Sequence, residues 1–232
     1  MSNKLKVVSP KLRPIEKLIR EISYTRGSCA EVFDDVIGML AMGMNSLAEP
    51  RKAERHLQSI NKIKARYDED ALEKIAQIYT LLGQLYEELS ETPVDLLGHL
   101  YMEMELGNKY HGQEFTPDSV CQLCAALTSG DLKPDKTGII TINDPACGSG
   151  NMLLAMIHNE KGKGINTSRY LCFGTDVDIR CVWMAYIQTF FYGIPTVIFH
   201  GNTITYEMWE TWITPQAIPL IHCIEVNGGN RK

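Results

Sequence analysis

One segment constrains the fold of this chain more than any other: two apolar runs separated by a glycine turn. Gly138–Ile142 is rich in β-branched residues and predicts a strand, whereas Met152–Ile157 has the composition of a helix. Between them lies the turn Asp144-Pro-Ala-Cys-Gly-Ser-Gly150. Glycines in such a turn let the backbone approach a ligand closely, and the N-terminus of the following helix offers unpaired N–H groups to an anion. The segment therefore predicts a strand–turn–helix unit with a ligand site at its turn.

The sequence beyond Gly107 alternates between strand-like and helix-like segments. This alternation predicts an α/β fold, with a partial parallel sheet of the Rossmann-like kind and helices on its faces. Ligands of such sheets bind at the carboxyl ends of the strands. The predicted helices are Pro117–Leu127, Asn151–His158 and Ile179–Tyr192, and the predicted strands are Ile139–Ile142, Tyr170–Phe173, Thr196–Phe199 and, as a last possible strand, Ile218–Val226.

The first part of the chain is different, because its apolar residues recur at helical spacing throughout. We therefore expect an all-helical N-terminal domain over residues 1–107, followed by an α/β domain over residues 108–232. Five helices are predicted in it: Pro14–Tyr24, Glu31–Leu47, Arg51–Tyr67, Ala71–Leu89 and Val94–Leu106.

Composition and charge limit the possible classes of protein. A chain of 232 residues with 44% hydrophobic residues suits one large domain or two small ones. The net charge of -5 provides no overall cationic field, so any nucleic-acid contact has to come from a local patch or a partner. Met1–Pro10 lacks the apolar core of a signal peptide, and no run has membrane-spanning length. We therefore expect a cytoplasmic protein without a membrane partner, whose seven cysteines are reduced thiols.

The glycine turn closely resembles the cofactor loop of S-adenosylmethionine-dependent DNA adenine methyltransferases. A second string, Gly112-Gln-Glu-Phe-Thr-Pro117, resembles the lead-in to the nucleotide fold in the modification subunits of type I restriction systems. Asp95-Leu-Leu-Gly-His-Leu-Tyr101 resembles the end of the helical domain that precedes that lead-in. The resemblance covers most of residues 94–204. It implies S-adenosylmethionine as cofactor, DNA as partner and methyl transfer to the exocyclic amine of adenine, in a restriction-modification or phage setting.

The resemblance also implies which residues bind the cofactor. In the family, the backbone of the lead-in lies against the methionine end of the cofactor, and the glycine turn forms the main loop of the site. The residues implied are Gln113, Glu114, Phe115, Thr116 and Pro117 in the lead-in, and Asp144, Pro145, Ala146, Gly148, Ser149, Gly150 and Asn151 in the turn. Thr116-Pro117 is also an ordinary helix start, with the threonine hydroxyl as cap and the proline in the first turn.

Two further candidates follow the next two strands. Asp176 can accept hydrogen bonds from the ribose hydroxyls of a nucleotide, or it can be a plain turn acid; Asp178 is better placed to cap the next helix. Asn202 can accept from the adenine amine, or it can be a turn asparagine.

The motif that grips the target base in this family is absent. It consists of Asn or Asp, two prolines and an aromatic residue, and no Pro-Pro pair occurs in this sequence. Asn227 is a weak catalytic candidate, in a segment typical of a frayed polar tail. We therefore expect the α/β domain to be C-terminally truncated relative to a full enzyme. Two functions stay open: an adenine-specific DNA methyltransferase, with a second subunit that supplies the target-recognition or catalytic motif, or a non-catalytic cofactor-binding subunit or decoy.

Three other features predict ordinary packing or solvent-exposed surface. Cys121 and Cys124 have metal-ligand spacing without a second pair, so we expect buried thiols and no metal site. Trp209 and Trp212 can stack on a base, but more often such residues pack. The basic segment Arg51–Arg66 can face phosphates or be a solvated helix surface.

Overall fold

The N-terminal half is built from five helices, as the spacing of its apolar residues predicts. The computed structural model describes residues 3–106 and 115–228 of the chain. Within the first range the helices are α1 (Asn3–Arg26), α2 (Cys29–Ala48), α3 (Ala53–Lys64), α4 (Glu69–Glu88) and α5 (Leu96–Glu103). Among all the described residues, no helix combines the length and apolarity that crossing a bilayer requires.

The start of α1 differs from the prediction. The helix does not open at Pro14 but runs through both Pro10 and Pro14. Each proline removes one backbone hydrogen bond. The buried face of the helix nevertheless extends back to Leu12 and Val8, in line with Ile15. Burial of this longer apolar stripe outweighs the lost hydrogen bonds, because most helical stability comes from packing.

The C-terminal half contains a four-stranded sheet with the order β1-β2-β3-β4. The strands β1 (Ile140–Asp144), β2 (Tyr170–Asp176) and β3 (Thr196–Asn202) are parallel, and β4 (Glu207–Ile213) is antiparallel to β3. Four helices accompany the sheet: α6 (Asp118–Thr128), α7 (Asn151–Gly162), α8 (Ile179–Phe191) and α9 (Ile218–Gly228). The predicted α/β fold with a mostly parallel sheet is confirmed.

One prediction about the last segment is wrong, and one strand there is not predicted at all. Ile218–Val226 is not a strand but lies in helix α9, whose Leu220, Ile221 and Ile224 pack on the sheet. Conversely, the strand β4 was not predicted. A short apolar run does not distinguish a strand from a buried helix, and only the packing partner decides. In β4 the burial pattern does not alternate: the first three residues are exposed, only Trp212 is fully buried, and the pairing with β3 is irregular at His200.

The sheet buries both of its faces. Tyr170 and Cys172 of β2 pack into the same hydrophobic cluster as α1, α2, α4 and α8, whereas the intervening Leu171 packs into a separate cluster beneath α9. This alternation follows from the two-residue period of a strand. Because one cluster includes both Phe33 of α2 and Tyr186 of α8, the helical segment packs directly against the sheet domain. The domain boundary near residue 107 stays a prediction.

Candidate functional site at the carboxyl edge of the sheet

The glycine turn connects the end of β1 to the start of α7 in a conformation that requires glycine. Gly148 and Gly150 have φ angles of 52° and 91°, which belong to the left-handed region. A Cβ on Gly148 would lie 3.1 Å from the Phe115 ring, and one on Gly150 would lie 3.2 Å from the Ala185 Cα. Larger residues are therefore opposed both by backbone strain and by close neighbours.

A third glycine lets the turn pass over the neighbouring strand. The Cys147 N–H donates to the Thr175 carbonyl of β2 at 2.9 Å. A Cβ on Gly174 would lie 2.9 Å from the Ile198 side chain and 3.0 Å from the Cys147 sulfur. The missing side chain of Gly174 thus makes room for the turn on the sheet.

Two predicted carboxylates meet at this edge. Asp144 accepts from the Ala146 N–H at 3.1 Å, and Asp176 accepts from the Gly148 N–H at 2.9 Å. The second oxygen of Asp176 accepts from the Asp178 N–H at 2.9 Å. Burial raises the pKa of both Asp144 and Asp176 from its ordinary value, and the nearby carboxylate of Asp176 also raises the pKa of Asp144. Asp176 therefore ties the end of β2 to the glycine turn.

The predicted role of Asp178 is confirmed. It is the N-cap of α8, and its carboxylate accepts from the Arg180 N–H at 2.9 Å. The same carboxylate accepts from the Arg180 guanidinium, with the shortest contact at 2.6 Å. The guanidinium carbon lies 5.9 Å from the centre of the Tyr101 ring, so the start of α8 is also held against α5.

Asn202 forms a turn. Its side-chain oxygen accepts from the Ile204 N–H at 2.9 Å and from the Thr205 N–H at 3.3 Å. The next residue, Thr203, donates to the Pro145 carbonyl at 2.7 Å, which brings this turn against the loop after β1. The acceptor role of Asn202 toward adenine stays a prediction, and its oxygen already accepts from the turn.

The described part of the lead-in, Phe115–Pro117, borders the glycine turn. Asn151 donates to the Thr116 carbonyl at 3.1 Å and to the Asp118 carboxylate at 2.9 Å. The expected hydroxyl cap from Thr116 is wrong, because Pro117 occupies the N-cap of α6 and no side chain caps that helix. A proline fixes its own φ near the helical value and removes one N–H that would need a partner. Gln113 and Glu114 lie outside the described residues.

A histidine completes the polar contacts beside the turn. His99 Nε2 lies 3.1 Å from the Asp118 carboxylate. Burial opposes the charged form of His99, but the hydrogen bond with Asp118 and the nearby carboxylates outweigh it and raise its pKa. The Asp118 carboxylate thus contacts both His99 of α5 and Asn151 of α7.

These groups surround a cavity of about 210 Å³. Its lining comes from the lead-in, from the end of β1 and from the glycine turn, and includes Phe115, Thr116, Asp144, Gly148, Ser149, Asn151 and Met152. The structure therefore brings together most of the described candidates of the two motifs. Asp176 and Asn202 do not line this cavity, but Asp176 accepts from the Gly148 N–H and the neighbour of Asn202, Thr203, donates to the Pro145 carbonyl.

Two residues at the site carried no predicted role. Asp95 and Gln188 are both buried and hydrogen-bond to each other and to Ser149. A sequence signal exists for Gln188, which is a lone amide in the apolar run of α8, and for Asp95, which precedes a helix as a capping residue does.

The remaining predicted features have ordinary surroundings. Cys121 is buried on α6 and Cys124 half-buried, and among the described residues no group of three or more His, Cys, Asp or Glu is placed to hold a metal ion. Trp212 is buried and stacks on His56, with ring centroids 5.4 Å apart, whereas Trp209 is half-exposed. Asn227 lies in the last turn of α9, and its side chain is not among those that the structure describes.

The basic segment is partly neutralised by ion pairs. Arg55 pairs with Glu210, Arg66 with Asp35 and Lys52 with Glu49. The first of these pairs joins α3 to β4. Half of the predicted cationic face is therefore engaged within the protein, which favours the solvated-surface interpretation.

Known proteins that resemble this chain include the members of one family and a solved structure. The model of the family described as N-6 DNA methylase matches residues 92–221. A candidate class I S-adenosylmethionine-dependent methyltransferase from Listeria monocytogenes, solved as a crystal structure, is 17% identical with a TM-score of 0.44. The alignment covers 84% of this chain and 54% of that chain, so the present chain spans about half the length of that structure.

Proposed function

This chain belongs to the N-6 DNA methylase family, and we propose that it binds S-adenosylmethionine for methyl transfer to the exocyclic amine of adenine in DNA. The observation that carries the proposal is the convergence of the glycine turn, Asp144 and the lead-in on one cavity at the carboxyl edge of the sheet. This edge is where parallel α/β sheets bind nucleotides. We also propose a cytoplasmic location, because all seven cysteines are free thiols.

The residues present fit this cofactor. A Cβ at Gly148 would lie against Phe115, and both residues line the cavity, so the glycine leaves room for a ligand along the turn. The N-terminal turn of α7 leaves N–H groups without intrahelical partners, which suits the carboxylate of an amino acid. Each oxygen of Asp176 accepts one backbone N–H and retains a further lone pair for a hydroxyl.

Each group then has a role in binding. When bound, S-adenosylmethionine supplies an electrophilic methyl group on its sulfonium. We propose that Asp176 orients the ribose hydroxyls, that the glycine turn and Asp144 contact the middle of the cofactor, and that Phe115–Pro117 cover its methionine end. Gln113, Glu114 and Asn202 remain further candidates for this site. Ordering of the cofactor in this way lowers the entropic part of the barrier to methyl transfer.

The grip on the target base is the part of the reaction that these residues do not supply. The family pattern of Asn or Asp followed by two prolines and an aromatic residue is absent from the 232 residues. We propose that a second subunit supplies these groups and DNA target recognition, or that Asn227 takes part. The alternative function, a non-catalytic cofactor-binding subunit or decoy in a restriction-modification or phage setting, is favoured by the same absence.

Titration calorimetry with S-adenosylmethionine tests the cofactor proposal. The intact chain should bind saturably, and Asp176→Ala should weaken binding by about 1–3 kcal/mol, because charge-assisted hydrogen bonds are lost. Asp135→Ala is a matched control, since Asp135 also accepts two backbone N–H bonds but precedes β1, at the opposite edge of the sheet. Failure of the folded parent chain to bind, or equal weakening by both variants, would contradict the proposal.

Transfer of tritium from labelled cofactor to adenine-containing DNA tests the chemistry. The purified chain should transfer label slowly or not at all, because an amine that is not gripped gains neither positioning nor transition-state hydrogen bonds. Addition of a candidate target-recognition subunit should raise the rate if the chain is part of an enzyme. Binding without transfer under every condition would instead support the non-catalytic alternative.

A further inference from the structure

A buried aspartate lies behind the glycine turn and contacts it directly. Asp95 is 2% exposed and caps α5, where it accepts from the Gly98 N–H at 2.9 Å. Its other oxygen accepts from the Ser149 hydroxyl at 2.5 Å. The carboxylate thus joins the helical segment to the centre of the turn.

A glutamine from α8 closes this network. The Gln188 amide nitrogen donates to Asp95 at 2.8 Å and to the Ser149 carbonyl at 2.7 Å. Its oxygen accepts from the Leu97 N–H at 3.1 Å. Both amide donors and the acceptor of Gln188 are therefore used, which determines the orientation of the amide. A buried polar network in which these groups are satisfied favours one arrangement of the chain.

The network acts on the residue between the two left-handed glycines. Ser149 is held through its hydroxyl by Asp95 and through its carbonyl by Gln188, while Gly148 and Gly150 on either side have positive φ angles. Glycines lower the steric barrier to other conformations, so a turn of this kind needs an external constraint to keep one shape. The shape in turn directs the Gly148 N–H toward Asp176.

We propose that Asp95 is a positioning residue that, with Gln188, holds the glycine turn in the conformation that binds the cofactor. The inference rests on the proposed function for its ligand but concerns Asp95 and Gln188, which do not line the cavity. Asp95 acts through Ser149 and does not contact the cofactor. The helical segment is therefore part of the cofactor site, even though the main loop of that site follows β1.

Three variants and a control test this role. Asp95→Asn removes the negative charge, so that the hydrogen bonds from Gly98, Ser149 and Gln188 are no longer charge-assisted, and Ser149→Ala removes only the hydroxyl. Each should weaken S-adenosylmethionine binding in calorimetry by about tenfold, the factor that corresponds to about 1.4 kcal/mol. Because both variants act on the contact between the same two side chains, the double variant should lose less affinity than the sum of the two single losses. Asp68→Asn is the control, since Asp68 caps a different helix, α4, and accepts from the Ala71 N–H at the same 2.9 Å distance.

A second readout separates this inference from the proposed function. Hydrogen exchange of the amides of residues 148–151 in the cofactor-free protein should be faster in Asp95→Asn and Ser149→Ala, and unchanged in Asp68→Asn. Unchanged cofactor affinity and exchange in a folded Asp95→Asn variant, or additive losses in the double variant, would overturn the inference. If the parent chain does not bind S-adenosylmethionine, the proposed function fails and the exchange rates alone decide on the positioning role. If Asp95→Asn does not fold, the exchange rates of Ser149→Ala decide. This variant leaves the other two donors to Asp95 in place, and exchange in the cofactor-free protein does not depend on a direct contact between Ser149 and the cofactor.

Discussion

The glycine turn allows a quantitative prediction, because Gly148 and Gly164 both have a positive φ angle but differ in the atoms that a Cβ would contact. Gly148 has a φ of 52° and Gly164 a φ of 75°. An alanine in this region costs about 1–2 kcal/mol. A Cβ on Gly148 would lie 3.1 Å from Phe115, whereas a Cβ on Gly164 has nothing within 4 Å. Both Gly148→Ala and Gly164→Ala should therefore lower the free energy of unfolding by about this amount, which lowers Tm by about 2–8 °C for a domain of this size.

Cofactor affinity should separate the two variants. Phe115 packs edge-on against Tyr101, with ring centroids 5.4 Å apart, so a methyl group on Gly148 displaces a ring that already has a neighbour. Gly148→Ala should weaken S-adenosylmethionine binding by about tenfold or more in calorimetry, and Gly148→Val should abolish it, because a β-branched residue resists a positive φ. Gly164→Ala should bind like the parent. Equal affinity of Gly148→Ala and the parent, both folded, would refute a cofactor site at this turn.

Two further variants test the packing and the electrostatics behind the site. Gly174→Ala should destabilise the fold by about 1–3 kcal/mol in chemical denaturation, since its Cβ would lie 2.9 Å from Ile198 and 3.0 Å from the Cys147 sulfur; an unchanged midpoint would contradict this. Burial raises the pKa of Asp34 from 3.8 to about 6, and its buried Oδ1 has no hydrogen-bond partner among the described residues. The Asp34 carboxyl therefore stays protonated to a higher pH in the folded state than in the unfolded state, so the free energy of unfolding falls as the pH rises from about 3.8 to about 6. Asp34→Asn should be more stable than the parent by about 1 kcal/mol at about pH 7, but not below about pH 3.8.

The local elements followed from the sequence because each has a local cause. The β-branched run before Asp144, the glycines after it and the apolar helix beyond them specify strand, turn and helix without reference to the rest of the chain. Asp178 as the cap of α8 was predictable for the same reason, since a cap needs only its own backbone neighbours. The parallel order of β1 and β2 also explains why Asp144 and the turn meet at the carboxyl edge of the sheet.

The errors occurred where local sequence is ambiguous. Ile218–Val226 has the composition of a buried strand, and it is a helix because its apolar face covers Phe173 and Phe199 of the sheet. The start of α1 depends on a buried face that extends back to Val8, so the position of Pro14 does not predict where the helix begins. In both cases the packing partner is distant in sequence and decides between two locally acceptable conformations.

The sequence by itself determined the class of fold, the family and the residues of the glycine turn, because these depend on short spacings and on the conformations that glycine permits. Only the tertiary structure decided that Asp95 and Gln188 meet at Ser149, and that Gly174 makes room for Cys147. These residues lie far apart along the chain. The contacts of Asp95 exist only when the helical segment is packed on the sheet, and that of Gly174 only when the turn after β1 lies on β2. Burial makes these hydrogen bonds important for stability, because a buried polar group without water or a protein partner raises the free energy of the folded state.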